Sequence, residues 1–196
     1  MFIAFEGMDG AGNSTQSNLL TNFLREKGYD VLLTKEPTKN PIGEIIRSVL
    51  QKRLKTSSLA LQLLFTADRG HHLHSEIEPA LKEGKTVISD RYMFSTLAFG
   101  ALDVDMEFLK EINSHFRVPD ITFILDVPPE VSLERIKKSR KREPELFEEL
   151  EKLSGVRDNY LKLKYDFPNV HVINGNRPIE VVAQEIHEIV MRKLRP

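Results

Sequence analysis

The first sixteen residues, MFIAFEGMDGAGNSTQ, have the make-up of a site for phosphate groups. Phe2-Ile3-Ala4-Phe5 reads as a short buried strand and Gly7-Met8-Asp9-Gly10-Ala11-Gly12 as a glycine-rich turn. Ser14-Thr15 then opens a helix with apolar residues at Leu19, Leu20, Phe23 and Leu24. In the pattern G-x-x-x-x-G-K-[ST], glycines let backbone N–H groups curl around phosphate oxygens. The helix N-terminus adds partial positive charge, the lysine reaches the β- and γ-phosphates, and the hydroxyl holds magnesium. Gly7, Gly12 and Ser14 fit this pattern, and Asn13 stands where the lysine belongs. A glycine-rich turn in an unrelated α/β fold would share the glycines, but the strand before and helix after them favour a nucleotide site.

Further groups suit the same chemistry. Asp90-Arg91-Tyr92 follows the apolar run Thr86-Val87-Ile88-Ser89; a carboxylate and a guanidinium at one strand end can steer a magnesium-bound water and grip a phosphate bidentately. An Asp helix cap beside a surface arginine would read the same way. Phe65 and Arg69 stand four apart in a helical pattern and share a face, offering a planar wall and a planar donor for a base; an amphipathic core helix has the same spacing. Glu134 to Arg142 contains the one concentrated basic run, which suits a solvated helix face or, in a phosphoryl-transfer enzyme, a flap that brings arginines onto the phosphate. His71, His72 and His74 lack matched acidic or cysteine ligands, and Asp126, before Pro128-Pro129, suits a helix cap or a place near the cation, of which the cap is the favoured reading.

The elements that must position these residues alternate regularly. Strands are expected at 2–5, 31–34, 86–89, 121–125 and 170–173, and helices at 14–27, 41–52, 57–82, 105–115, 129–138, 144–165 and 178–194. Short apolar strands between helices imply a parallel sheet covered on both faces, with ligands beyond the strand carboxyl ends. Glu6-Gly7, Lys35-Glu36, Asp90-Arg91 and Asp126 therefore converge on one cleft. The fold class is α/β: a three-layer αβα P-loop NTPase with a five-stranded parallel sheet, the loop strand central and a small lid near 137–146, in one domain over 1–196. The 28 Lys and Arg against 29 Asp and Glu, for a net charge of −1, give no pull toward nucleic acid or anionic membrane. No cysteine is present, so disulfides and thiolate metal sites are excluded. With no apolar run approaching a membrane span, the expectation is a soluble, cytoplasmic protein.

Together these residues resemble the thymidylate kinase family, P-loop enzymes that phosphorylate dTMP with ATP. The likeness runs almost the whole length: FEGMDGAG-STQ for the loop, KEPTKNPIGEIIR for the acceptor segment, LLFTADRGHHL for the base-binding helix, ISDRYMFSTLAF, PDITFILDVPPEVSLERI, VRDNYLKL and VINGNRPIEVV in order. The resemblance implies that ATP is held by Gly7, Met8, Asp9, Gly10, Ala11, Gly12, Asn13, Ser14 and Thr15, with Arg135 packed on adenine. Asp9 would contact the sugar 3′-hydroxyl, Phe65 stack on thymine and Arg69 bond its carbonyl, with Ser95 and Phe99 completing the acceptor site. Arg91 and Lys35 would hold the acceptor phosphate, Ser14 and Asp90 the magnesium, and Arg140 or Arg142 would act from the lid. A homodimer is also implied.

The chain departs from the family pattern at three places: Asn13 for lysine, Lys35 where arginine is usual, and Phe99-Gly100 where many members have Tyr-Gln. Competing readings are a kinase for another nucleotide or a deoxynucleoside, a nucleotide-binding protein with little catalysis, and a nucleic-acid module built on 137–142, which the neutral net charge disfavours.

Overall fold

The computed structural model describes residues 1–139, 145–147 and 149–194. In chain order the elements are β1 (Phe2–Glu6), α1 (Asn13–Glu26), β2 (Val31–Lys35), α2 (Pro41–Leu50) and α3 (Ser58–His72). A π-turn (Leu73–Ile77) leads from α3 into α4 (Glu78–Lys82). Then follow β3 (Thr86–Asp90), α5 (Met93–Gly100), α6 (Met106–Asn113), β4 (Ile121–Asp126), α7 (Pro129–Ser139), α8 (Leu150–Asp166), β5 (Val170–Asn174) and α9 (Ile179–Leu194). The five strands form one parallel sheet in the order β2-β3-β1-β4-β5, with β1 central.

Successive side chains of β1 face opposite layers, so a central strand must be apolar on both. Phe2 and Ala4 join the core formed with α2 to α6 and α8, whereas Ile3 and Phe5 pack under α1 and α9. The register pairs Phe5 with Asp90, Lys35 with Asp90 and Glu6 with Ile124, which brings the polar strand ends to one edge of the sheet.

Helix starts follow capping chemistry. Asn40, Ser57 and Asp105 accept the backbone N–H groups of Gly43, Ala60 and Phe108 and so cap α2, α3 and α6. By contrast, α1 starts at Gly12, in the left-handed region with φ 106°, and no side chain caps it. Its first N–H groups therefore have no side-chain acceptor, the arrangement at which anions can bind.

Several boundaries differ from the expected ones. Each strand runs one residue further, into Glu6, Lys35, Asp90, Asp126 and Asn174. The helix expected over 57–82 widens at the π-turn, just before Pro79, which lacks the N–H needed to continue the ladder. Helix α5 was not among the expected elements. The helix expected from 144 starts at Leu150, because Phe147 turns into the core, edge-on to Phe99 at 5.2 Å between ring centroids. Among the described residues no helix is long and apolar enough to cross a membrane.

Candidate active site

A cleft of about 970 Å³ opens at the carboxyl ends of β1, β2 and β3. Asp9, Ser14, Lys35, Asp90 and Arg91 line its floor, and Phe65, Ser95 and Phe99 are among the residues of its walls. Residues that follow β1, β2 and β3 converge there with residues of α1, α2, α3 and α5, but the fourth strand end expected in the cleft, Asp126 of β4, does not line it.

The loop is shaped for close approach of backbone. Gly10 has φ 79°, and a Cβ there would stand 2.5 Å from the Ser132 carbonyl oxygen of α7, so only glycine fits. Met8 and Ala11 bury their side chains, and Ala11 N–H donates to the Met8 carbonyl at 3.1 Å, closing the turn. Thr15 is exposed in the first turn of α1. Arg135 of α7 reaches the Gly10 carbonyl at 3.4 Å and that of Gly175 at 3.3 Å, fixing its guanidinium beside the loop.

Asn13 turns beneath the loop. It is 6% exposed, its Nδ2 lies a long 3.5 Å from the Gly7 carbonyl, and its Oδ1 is buried without a partner. No positive charge therefore enters the cleft from this position.

Arg91 is the hub of the floor. Its guanidinium donates to the Gly7 carbonyl and to Asp9 Oδ1, both at 2.9 Å, and to Ser95 Oγ at 3.1 Å, and it lies 5.2 Å from the Phe99 ring centroid. Its backbone has φ 75°, a conformation costly for a residue with a Cβ and sustained only by surroundings that hold it. Burial alone would lower its pKa, but Asp9, Tyr160, Asp90 and Glu6 outweigh that and raise it, so the charge is permanent.

Beside it, Ser14 Oγ donates to Asp90 Oδ2, and the Lys35 ammonium lies 2.7 Å from the same carboxylate oxygen and 3.4 Å from Ser14 Oγ. Hydroxyl and carboxylate are the hard oxygen donors that suit magnesium, and a cationic group already lies beside both.

Two expectations are corrected. Arg69 does not line the cleft: it is fully buried beneath it, giving its terminal nitrogens to Glu36 Oε2 at 2.8 Å, Asn113 Oδ1 at 2.5 Å and Thr96 Oγ1 at 3.1 Å. The Phe65–Arg69 spacing does share a face, but Glu36 just after β2, Thr96 of α5 and Asn113 of α6 close over the arginine. Asp126 caps no helix; it forms a bidentate pair with Arg157 of α8 at 2.6 and 3.0 Å. Arg140 and Arg142 lie outside the described residues.

Glu6, Thr96, Tyr160 and Gln62 were not singled out as site residues. A carboxylate ending a strand that is otherwise wholly apolar was the available signal for Glu6. It accepts from Tyr92 N–H at 2.9 Å, Ser95 Oγ at 2.6 Å and the Tyr160 hydroxyl at 3.0 Å. Burial pushes its pKa up to about 7, against the opposing pull of Ser95, Arg91, Tyr160 and the Tyr92 amide. The folded protein thus holds this proton more tightly than the unfolded chain, and its contribution to stability falls as pH rises from about 4.5 to about 7. Glu6→Gln is expected to remove that slope, on the order of 3 kcal/mol across the window. Urea denaturation of both proteins at pH 5 and pH 8 checks it; parallel pH profiles would show that Glu6 does not titrate there.

Comparison with known proteins decides the family. The thymidylate kinase family model matches residues 5–186. The chain belongs to the thymidylate kinase family. It is 43% identical over 199 residues to the "Probable thymidylate kinase" of Thermococcus kodakarensis, with 97% of each chain covered. It is 41% identical to the thymidylate kinase of Desulfotalea psychrophila, covering 94% of this chain and 91% of that one. Membership makes the protein a nucleoside-monophosphate kinase on the P-loop NTPase fold, which the parallel five-stranded sheet with helices on both faces bears out.

Proposed function

We propose that the protein transfers the γ-phosphoryl group of ATP to dTMP, giving dTDP and ADP by in-line displacement. The observation that carries this is Arg91, which bonds the loop at Gly7 and Asp9 while lining the acceptor cleft, and so ties the two phosphate positions together. The uncapped start of α1 and the loop amides of Gly7 to Thr15 hold the ATP phosphates, and Arg135 packs on adenine. Asp9 contacts the sugar 3′-hydroxyl, Phe65 stacks on the thymine, Phe99 and Ser95 wall the acceptor, and Lys35 joins Arg91 at its phosphate. Ser14 and Asp90 would hold magnesium, which when bound neutralises charge on the transferring phosphate. Arg69 acts from below, steadying Glu36 and Thr96, and the protein works as a homodimer.

The chemistry then needs positioning more than covalent assistance. An acceptor phosphate oxygen attacks the γ-phosphorus, and the bridging oxygen leaves with ADP. A coupled assay across the nucleoside monophosphates tests the reading, with dTMP expected as the preferred acceptor. Phe65→Ala is expected to raise the dTMP KM by about 5- to 100-fold, through lost stacking, with little change in the ATP KM. Equal shifts for both substrates would make this helix mere core.

A further inference from the structure

Gln62 of α3 is 2% exposed, lines the acceptor cleft and leaves its Oε1 buried without a partner. A buried carbonyl oxygen without a donor is costly unless a ligand supplies one. Its place is made by a neighbour: a Cβ on Gly100 would stand 3.0 Å from Gln62 Cγ and Cδ and 2.9 Å from Leu109 Cδ1. The carboxamide thus lies over the glycine of the Phe99-Gly100 pair, one of the places where the chain departs from the family pattern.

One helical turn before Gly100, on the same face of α5, stands Thr96. Its Oγ1 accepts from both terminal nitrogens of Arg69, at 3.1 Å each, and it too lines the cleft. A hydroxyl has two acceptor lone pairs and one proton. With both lone pairs engaged, Thr96 has only its proton to offer.

Resting on the proposed dTMP kinase activity, we propose that Gln62 is a specificity-determining residue that reads the imide edge of the acceptor base, its Oε1 accepting the base N3–H while Thr96 donates to the adjacent carbonyl. Thymine and uracil present this donor–acceptor order. Cytosine presents the reverse, a bare N3 beside an amino group, and meets Thr96 donor to donor. Gln62 supplies the acceptor and Thr96, fixed by Arg69, sets the polarity.

The test compares dTMP, N3-methyl-dTMP and dCMP on the parent protein, Gln62→Met and Gln62→Glu, by steady-state kinetics and by calorimetric binding. Met fills the same space without an acceptor; Glu keeps one. Gln62→Met is expected to raise the dTMP KM about 10-fold and to narrow the gap between dTMP and its N3-methyl analogue, with the ATP KM unmoved. Gln62→Glu is expected to retain the preference for the N3–H base, which covers the case of a Met variant that folds poorly. Equal losses for dTMP and N3-methyl-dTMP, or none for either, would overturn the proposal while leaving the kinase reading intact. A parent that binds no dTMP at all overturns both.

Discussion

Asn13→Lys is expected to raise turnover of dTMP by about 10²–10³-fold, the usual worth of one donor aimed at developing charge, with little change in ATP affinity. Asparagine brings no charge, and here it also stays out of the cleft, folded under the loop with its Oδ1 unpartnered. An unpaired ammonium is costly to bury, so the lysine is expected to extend along the loop toward the phosphates. The loop amides, the start of α1 and the oxygens of Ser14 and Asp90 are untouched by the substitution, which is why binding should hold while kcat moves. Single-turnover kinetics with ATP binding measured in parallel separate the two effects. A parent as fast as the variant would mean that cationic groups elsewhere supply the missing charge. Turnover by neither protein, with ATP still bound, would favour a nucleotide-binding protein.

Arg91→Lys should be the most damaging conservative change, lowering kcat by about 10²–10³-fold. It keeps the charge but removes the fork that serves Gly7, Asp9 and Ser95 together. A point charge can satisfy one of those partners and leave the others facing each other across the floor. The φ of 75° adds to the cost, because the backbone strain there is sustained by the guanidinium's bonds and is not relieved by a lysine. Full activity with lysine would show that charge alone suffices at this position. A KM effect without a kcat effect would restrict Arg91 to holding the acceptor.

Much of this was legible in the sequence because two periodicities spoke clearly. Apolar runs of four or five residues between amphipathic stretches announced a parallel sheet, and the polar residues ending β2 and β3 marked where the site would be, whereas Asp126 and Asn174, ending β4 and β5, do not line it. Those same polar residues belong to the strands, so each strand reads one residue short. Helix α5 was silent for another reason: Met93, Phe94, Leu97, Ala98 and Phe99 are all buried, leaving no polar face to give a period. The partners of Arg69 and Asp126 were hidden by separation along the chain. Glu36, Asn113 and Arg157 come from other elements, and nothing local in LLFTADRG or FILDVPP names them. Gln62 depends on a space left by a glycine in another helix, a relation that a single pattern cannot carry.

The Glu36–Arg69 pair has an evolutionary consequence. Both side chains are out of water, at 2% and 0% exposure, so dissolved ions do not screen them. Removing Glu36 would leave the Arg69 guanidinium in the core with only the neutral Thr96 and Asn113 as partners, at about 3–5 kcal/mol, whereas removing Arg69 would leave Glu36 hydrogen-bonded to His72 Nδ1 at 3.1 Å. A path that changes Glu36 first therefore passes through a crippled intermediate, which a coupled replacement escapes. Glu36 directly follows Lys35 and lines the cleft, so this wall is held in place by contingency as well as by chemistry.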